Sequence, residues 1–272
     1  MTTRTMLLGA LIAIGVSIAT SAGVAARTEP ADESWPALKR DLFENREIVE
    51  NSAFVVLDAP FKAEDAALVP MTMSVRQPYG DPRRVTKMSL VINENPMPLA
   101  GTFTLGENSG IIQISTRVRL NANTYVHLVA ELSDGSLIES KRYVYAAGGC
   151  SAPAAKTTDE LASSLGQLKF SLLPSFVRNR REAVVMIRHP NFTGMQMDES
   201  THDYVPARYI NRFAVYQGDE LVFSVDGGIS ISENPNFRFA FAADTNRSIR
   251  VEAGDITGAR FTSAWPIIPG GD

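Results

Sequence analysis

Cysteine, tryptophan and histidine are all scarce in this chain of 272 residues: one Cys, two Trp and three His. A lone cysteine excludes a disulfide within the chain. The histidines, His127, His189 and His202, have no telling spacing to Cys150, so no Cys–His nucleophile pair is indicated. No zinc or copper ligand spacing occurs either. Basic charge is not in excess: the net charge is −4 and the pI near 5.5, which argues against a protein that binds nucleic acid by electrostatic attraction. The glycine pairs Gly227-Gly228 and Gly270-Gly271 lie in no phosphate-binding pattern and read as a turn and a tail. No cofactor is indicated.

The N-terminus reads as a secretory signal. Arg4 is a short basic region, residues 6–19 are apolar but too few for a comfortable membrane span, and Val24-Ala25-Ala26 supplies the small residues of a cleavage site. Arg4 has no neighbouring arginine, so a twin-arginine signal is not supported, and no cysteine near the cleavage site offers a lipid anchor. Removal of residues 1–26 takes away only Arg4 among charged residues, so the mature chain stays acidic. Export makes the odd thiol informative: it is free, joined to another molecule, or carrying something.

After the signal, Ser34-Trp35-Pro36 opens a short helix, with Ser34 as its cap and Leu38, Leu42 and Phe43 on one face. Short runs rich in branched and aromatic residues follow at 54–57, 71–75, 85–92, 111–120, 125–132 and 137–145. Turn signals separate them, among them Tyr79-Gly80-Asp81-Pro82 and Ser133-Asp134-Gly135-Ser136. After a break at 146–156 and a weak helical stretch at 158–165, strand patterns resume at 168–173, 183–188, 208–216, 220–225, 237–242, 248–253 and 259–262. The pattern predicts an all-β protein of two sandwiches. The first spans 33–147, an arm and linker spans 148–166, and the second spans 167–268. Glu94-Asn95-Pro96 and Glu233-Asn234-Pro235 occupy similar places in the two halves.

Cys150 follows Gly148 and Gly149 and precedes Ser151-Ala152-Pro153. Two glycines and a small, polar follower predict an exposed thiol on a flexible arm. No Lys, Arg or His adjoins it, so a strongly activated nucleophile is not indicated. His127 reads as a satisfied sheet residue. The group His189, Asp198, Glu199, His202 and Asp203 reads as a solvated loop rather than a metal site, with metal ligands none. Met195 and Met197 read as packing, and Asn191-Phe192-Thr193 fits a glycosylation acceptor.

The first half resembles SoxY, the sulfur-carrier subunit of the periplasmic thiosulfate-oxidising Sox system. The resemblance is carried by Trp35 with Asp41-Leu42-Phe43, Ala59-Pro60, the run from Ala63-Glu64-Asp65 through Val69-Pro70, Asn95-Pro96-Met97-Pro98, Arg117-Val118-Arg119 and Gly148-Gly149-Cys150. The second half resembles SoxZ through Ile187-Arg188-His189-Pro190, Gly194, the run Tyr204-Val205-Pro206-Ala207-Arg208-Tyr209-Ile210, and Ser232-Glu233-Asn234-Pro235 with Asn236-Phe237-Arg238-Phe239. The order is that of fused SoxYZ-like carriers associated with quinoprotein dehydrogenases.

The resemblance implies immunoglobulin-like sandwiches and no enzymatic activity. It implies a sulfur intermediate attached covalently to Cys150, with Gly148 and Gly149 as the flexible arm and catalytic residues none. Its partners would be periplasmic sulfur-oxidation enzymes or a quinoprotein dehydrogenase system, with neither nucleic acid nor, after cleavage, membrane. The alternative is an accessory module for a quinoprotein dehydrogenase, with an incidental cysteine. Two departures stand out. In SoxY two more glycines follow the cysteine and end the chain, whereas here the chain continues into the second half, so the arm is tethered at both ends. The basic stretch from Ser175 to Arg181 replaces a less basic turn. The second sandwich is expected to dock on the first, because fusion raises their effective concentration.

Overall fold

The computed structural model describes residues 29–50, 53–153, 163–175, 177, 179–198, 201–244 and 247–267. The signal sequence and its cleavage site at Ala26 lie outside these residues, as does most of the stretch 158–165 read as helical. The elements are α1 (Trp35–Phe43), β1 (Ile48–Glu50), β2 (Val55–Asp58), β3 (Val69–Val75), β4 (Val85–Ile92), β5 (Leu99–Leu105), β6 (Gln113–Val118), β7 (Thr124–Leu132) and β8 (Leu137–Val144), then β9 (Leu168–Leu173), β10 (Arg181–Ile187), β11 (Ile210–Gln217), β12 (Glu220–Gly227), β13 (Asn236–Phe241), β14 (Ser248–Asp255) and β15 (Arg260–Pro266).

Alternation sets the layers. In β3, Val69, Met71 and Met73 point inward; in β6, Ile114, Thr116 and Val118 do the same. β7 breaks this rule, with eight of its nine residues buried. The reason is α1, whose Trp35 lies on the outer face of the sheet and makes a second apolar cluster with Val91, Val129 and Leu137. Ser34 does not cap α1 through its side chain, contrary to the sequence expectation; its Oγ donates instead to Glu94 Oε1 at 2.5 Å. Leu42, assigned to the packed face, is 36% exposed, while Leu38 and Phe43 do pack.

The two halves share their sheets. One sheet runs β1-β8-β7-β4-β5-β12-β11-β14-β15, the other β2-β3-β6-β13-β10-β9. The first half joins the second where β5 pairs antiparallel with β12 (Phe103↔Val225, Gly101↔Gly227) and β6 pairs antiparallel with β13 (Ile114↔Phe239). The strands that would be open edges of each half thus satisfy one another. The expected docking takes this form, edge to edge, and the core is continuous across it. Phe103 meets Phe237 at 6.3 Å between ring centroids, and Phe237 in turn packs tilted against Phe213 and edge-on against Phe223. Just beyond β5, Gly106 lies so near the opposing strand that a Cβ would be 1.7 Å from the Leu221 carbonyl oxygen.

β5 and β1 escaped the sequence reading. β5 carries the small residues Ala100 and Gly101, which have weak strand propensity, and its place is fixed by both neighbours, β4 and β12. β1 is three residues long and pairs in parallel with β8.

Candidate functional site at the seam of the two halves

Cys150 lies beyond the end of β8, where the chain crosses from one half toward the other. The approach is pinned stepwise. Tyr145 N–H donates to Phe61 O, Ala146 N–H to Asn123 Oδ1, Gly148 N–H to Asn121 O at 2.8 Å and Gly149 N–H to Leu120 O at 2.9 Å. Gly148 has φ +73°, a left-handed conformation that favours glycine. A Cβ on Gly149 would lie 2.0 Å from Ala66 O and 2.7 Å from Leu120 O. The glycines are therefore needed for a tight, docked turn, not only for freedom of movement.

The thiol is buried, with 0% of its residue surface exposed. This corrects the expectation of an exposed cysteine. The residue is also held from far along the chain, which the sequence did not reveal: Thr193 Oγ1 donates to the Cys150 backbone carbonyl at 2.7 Å from a loop of the second half. Cys150 is not part of either hydrophobic core cluster, and its neighbours Ser151 and Pro153 are exposed. The thiol is thus buried where the chain leaves the first half, outside both core clusters.

Burial pushes the Cys150 thiol up to about 11, and the positive charge of Arg119 opposes the rise without cancelling it. The neutral thiol is the resident form at neutral pH. Arg119 is itself buried, and burial lowers its pKa against the charges of Glu233, Cys150 and Asp65. Its Nη1 donates to Ile231 O at 2.9 Å, tying the two halves, while its Nε is buried and has no hydrogen-bond partner among the described residues. Across the seam, Gln196 is also buried. Its Oε1 accepts from Thr193 N–H at 2.8 Å, which fixes the amide orientation and leaves Nε2 buried and unpartnered among the described residues. Asn95 holds the strand that carries Arg119: its Nδ2 donates to Arg119 O and to Ser230 Oγ, and its Oδ1 accepts from Asn121 N–H.

None of the histidines serves Cys150. His127 is buried in the sheet, its Nδ1 hydrogen-bonded to Glu139 Oε2 at 3.0 Å, its ring stacked on Trp35 at 3.7 Å and its Nε2 3.1 Å from Asp32 Oδ2, though without a well-aligned hydrogen bond there among the described residues. His189 is buried against Asn191 Oδ1 (2.7 Å) and Asp255 Oδ2 (3.4 Å). His202 is in an exposed turn. Among the described residues no group of His, Cys, Asp and Glu is placed to hold a metal ion, and Glu199 lies outside them. No described helix is long and apolar enough to cross a membrane. Sequence reasoning singled out Cys150 but missed Gln196, and it quoted Thr193 only within a glycosylation pattern and Arg119 only as part of the resemblance.

Residues 39–150 match the family described as sulfur oxidation protein SoxY, and residues 177–266 match that described as sulphur oxidation protein SoxZ. The chain is a SoxY–SoxZ fusion. The SoxY match ends at the cysteine itself. The assignment places the protein and its partners in sulfur oxidation. No curated protein matches the chain in sequence. Among solved structures, the sulfur carrier protein SoxY from Chlorobium limicola f thiosulfatophilum is similar at 22% identity over 42% of this chain and 97% of that one, with a TM-score of 0.33. A superoxide reductase (neelaredoxin) from Ignicoccus hospitalis is similar at 13% identity over 35% of this chain and 80% of that one, with a TM-score of 0.30.

Proposed function

We infer that this SoxY–SoxZ fusion is a non-catalytic periplasmic carrier that holds a sulfur-containing intermediate covalently on Cys150, and that the structure is its closed state. The observation that supports this most is the placement of the chain's one thiol. It terminates the SoxY-matching region and is held at the seam by contacts through its own and neighbouring backbone atoms. Such contacts can be undone without unfolding a sandwich. Each hydrogen bond contributes roughly 1 kcal/mol net, so lifting the arm away from Asn121, Leu120 and Thr193 is a local opening of a few kcal/mol. A buried neutral thiol also protects a carrier from adventitious oxidation between loadings.

Two features argue against catalysis by the isolated protein: His127 and His189 are engaged with other partners rather than with Cys150, and the thiol's pKa is raised rather than depressed. Loading and unloading then fall to partner enzymes that capture the opened arm. The signal sequence supports a periplasmic location. Intact mass of natively purified mature protein is expected to show a reducible adduct that maps to Cys150 and is missing from Cys150→Ser. A bare thiol that stays bare with thiosulfate or sulfide and the partner enzymes overturns the reading.

A further inference from the structure

The longer sheet presents its outer face differently in the two halves. In the first, α1 covers it through Trp35. In the second, β11, β12, β14 and β15 leave a groove of about 450 Å³, within the range of small-molecule sites (roughly 300–1,000 Å³). Alternation places its walls. Phe213 and Val215 are buried, so Arg212, Ala214 and Tyr216 face outward; Val251 and Ala253 are buried, so Arg250, Glu252 and Gly254 do the same. The register aligns one row across four strands: Asp226 opposite Arg212, Arg212 opposite Gly254, and Gly254 opposite Arg260. A register shift between Ile210 and Arg212 sets Arg212 in that row. Neighbouring strands lie about 4.8 Å apart, so the two arginines rise from backbones about 10 Å from each other, on either side of a residue with no side chain. Both line the groove. Gly254 is not required by its backbone: its φ is not left-handed, and a Cβ there would meet only the Ala259 carbonyl oxygen, at 3.6 Å. What the glycine supplies is an open floor, the usual mark of a strand position that a ligand approaches closely. The charges on the walls are unequal. Glu252 is ion-paired with Arg250, whose guanidinium lies 4.2 Å over the Tyr216 ring. Arg212, Arg260 and Asp226 form no ion pair or side-chain hydrogen bond among the described residues. Two unpaired positive charges thus face one negative, in a chain whose net charge is −4. Planar guanidiniums grip oxoanions through paired N–H donors, and a groove concentrates their field.

We propose that this groove reversibly binds a small molecule bearing a doubly charged tetrahedral oxoanion, held between the Arg212 and Arg260 guanidiniums above the bare backbone of Gly254. The site belongs entirely to the second half, does not use Cys150 and does not rest on the carrier reading. Asp226 is the opposing group. It stands across from Arg212 on the side away from Gly254, and it competes with the anion for that guanidinium. Arg260 is three strands from Asp226 and is left for the anion. A doubly charged head engages both arginines at once, which a single carboxylate at the edge of the row does not.

The test is calorimetric titration of the full mature chain at pH 8, with ionic strength held constant by chloride. Two probes are used: inorganic sulfate, a bare oxoanion, and phenyl phosphate, which carries the same class of head on an organic body and is about doubly charged at this pH. Phenol supplies the body without the head. Saturable binding is expected for at least one oxoanion and for phenol none; the tighter probe tells whether the groove takes a free inorganic anion or an organic one. Arg212→Gln and Arg260→Gln are each expected to weaken binding at least fivefold. Arg247→Gln, which removes a guanidinium paired with Glu220 and Asp244 outside the groove, should leave it unchanged. Asp226→Asn should tighten it several-fold. Gly254→Val fills the floor where the fold accepts a side chain, so it should weaken binding at least fivefold while urea unfolding stays as in wild type. No saturable binding of either probe, wild-type affinity in either folded arginine variant, or phenol binding as well as phenyl phosphate overturns the proposal. Loss of binding in Cys150→Ser also overturns it, since the anion would then sit at the cysteine. None of these results bears on the adduct at Cys150, by which the carrier reading is judged.

Discussion

The chemistry of Cys150 is governed by what covers it. An ordinary thiol titrates at 9.0, and this one is pushed up to about 11 by burial. The consequence for opening has a definite sign. Below pH 9 both closed and open forms keep the proton. Between 9 and about 11 the open form loses its proton first, so stability of the closed arm falls as pH rises through this window. Alkylation of Cys150 is therefore expected to keep accelerating toward pH 11, where an exposed thiol would level off near 9. A plateau near 9 in the native protein would show that the closed form is not the reacting population's reference state. Gly149 makes a second test. Its Cβ would collide with the Ala66 and Leu120 carbonyls, so Gly149→Ala is expected to displace the arm and raise the neutral-pH alkylation rate of Cys150 by tenfold or more. Gly148→Ala, with nothing within 4 Å of the added atom but φ +73°, should have the smaller effect.

Loops repeat a device across the two halves. Asn95 Oδ1 accepts the Asn121 backbone N–H, and Asn234 Oδ1 accepts the His189 backbone N–H. The tripeptides Glu94-Asn95-Pro96 and Glu233-Asn234-Pro235, which echo one another in sequence, thus do equivalent work between strands. Most strands were readable because their apolar positions alternate, as in β3, or are buried almost without interruption, as in β7. β5 was not, because its identity comes from strand partners on both sides, one of them more than a hundred residues away. The candidate cysteine stood out in Gly148-Gly149-Cys150, but its burial did not, and the Thr193 that holds its carbonyl lies 43 residues away. A further clasp joins β14 to the loop before β11. Asp255 is buried, which opposes ionisation, yet hydrogen bonds from Thr257, Arg208, Ala259 and His189 outweigh this and hold it down to about 2. Its contribution is full above its ordinary 3.8 and is lost as pH falls toward 2. Burial lowers the His189 pKa below 6.5, so this residue adds a loss of stability as pH drops below that value, where the unfolded chain takes up the proton first. Asp255→Asn is expected to be less stable than wild type at pH 7 and to lose less stability between pH 4 and 2, measured by urea unfolding at each pH. A wild-type slope retained in the variant would assign the acid lability elsewhere.

The seam makes the fusion one folding unit. From Asp32 onward the chain forms a single compact body, and its core runs without a break from Leu57 in the first half to Val251 in the second. Pairing of β5 with β12 and of β6 with β13 removes exposed edges that would otherwise invite aggregation. Two sandwiches on a string would unfold independently; two that share both sheets and the Phe103–Phe237 contact should not. Calorimetry of the mature chain is expected to give one transition, with equal van't Hoff and calorimetric enthalpies. Replacing Gly106 by Leu forces a side chain into the Leu221 backbone at the junction of the halves. It should lower that transition, or divide it in two, and at the same time expose Cys150 to alkylation, because Thr193 of the far half holds the Cys150 carbonyl. A wild-type chain that melts in two separate steps, or a Gly106→Leu chain whose seam is weakened while its thiol stays shielded, would break the link between pairing of the halves and closure of the arm.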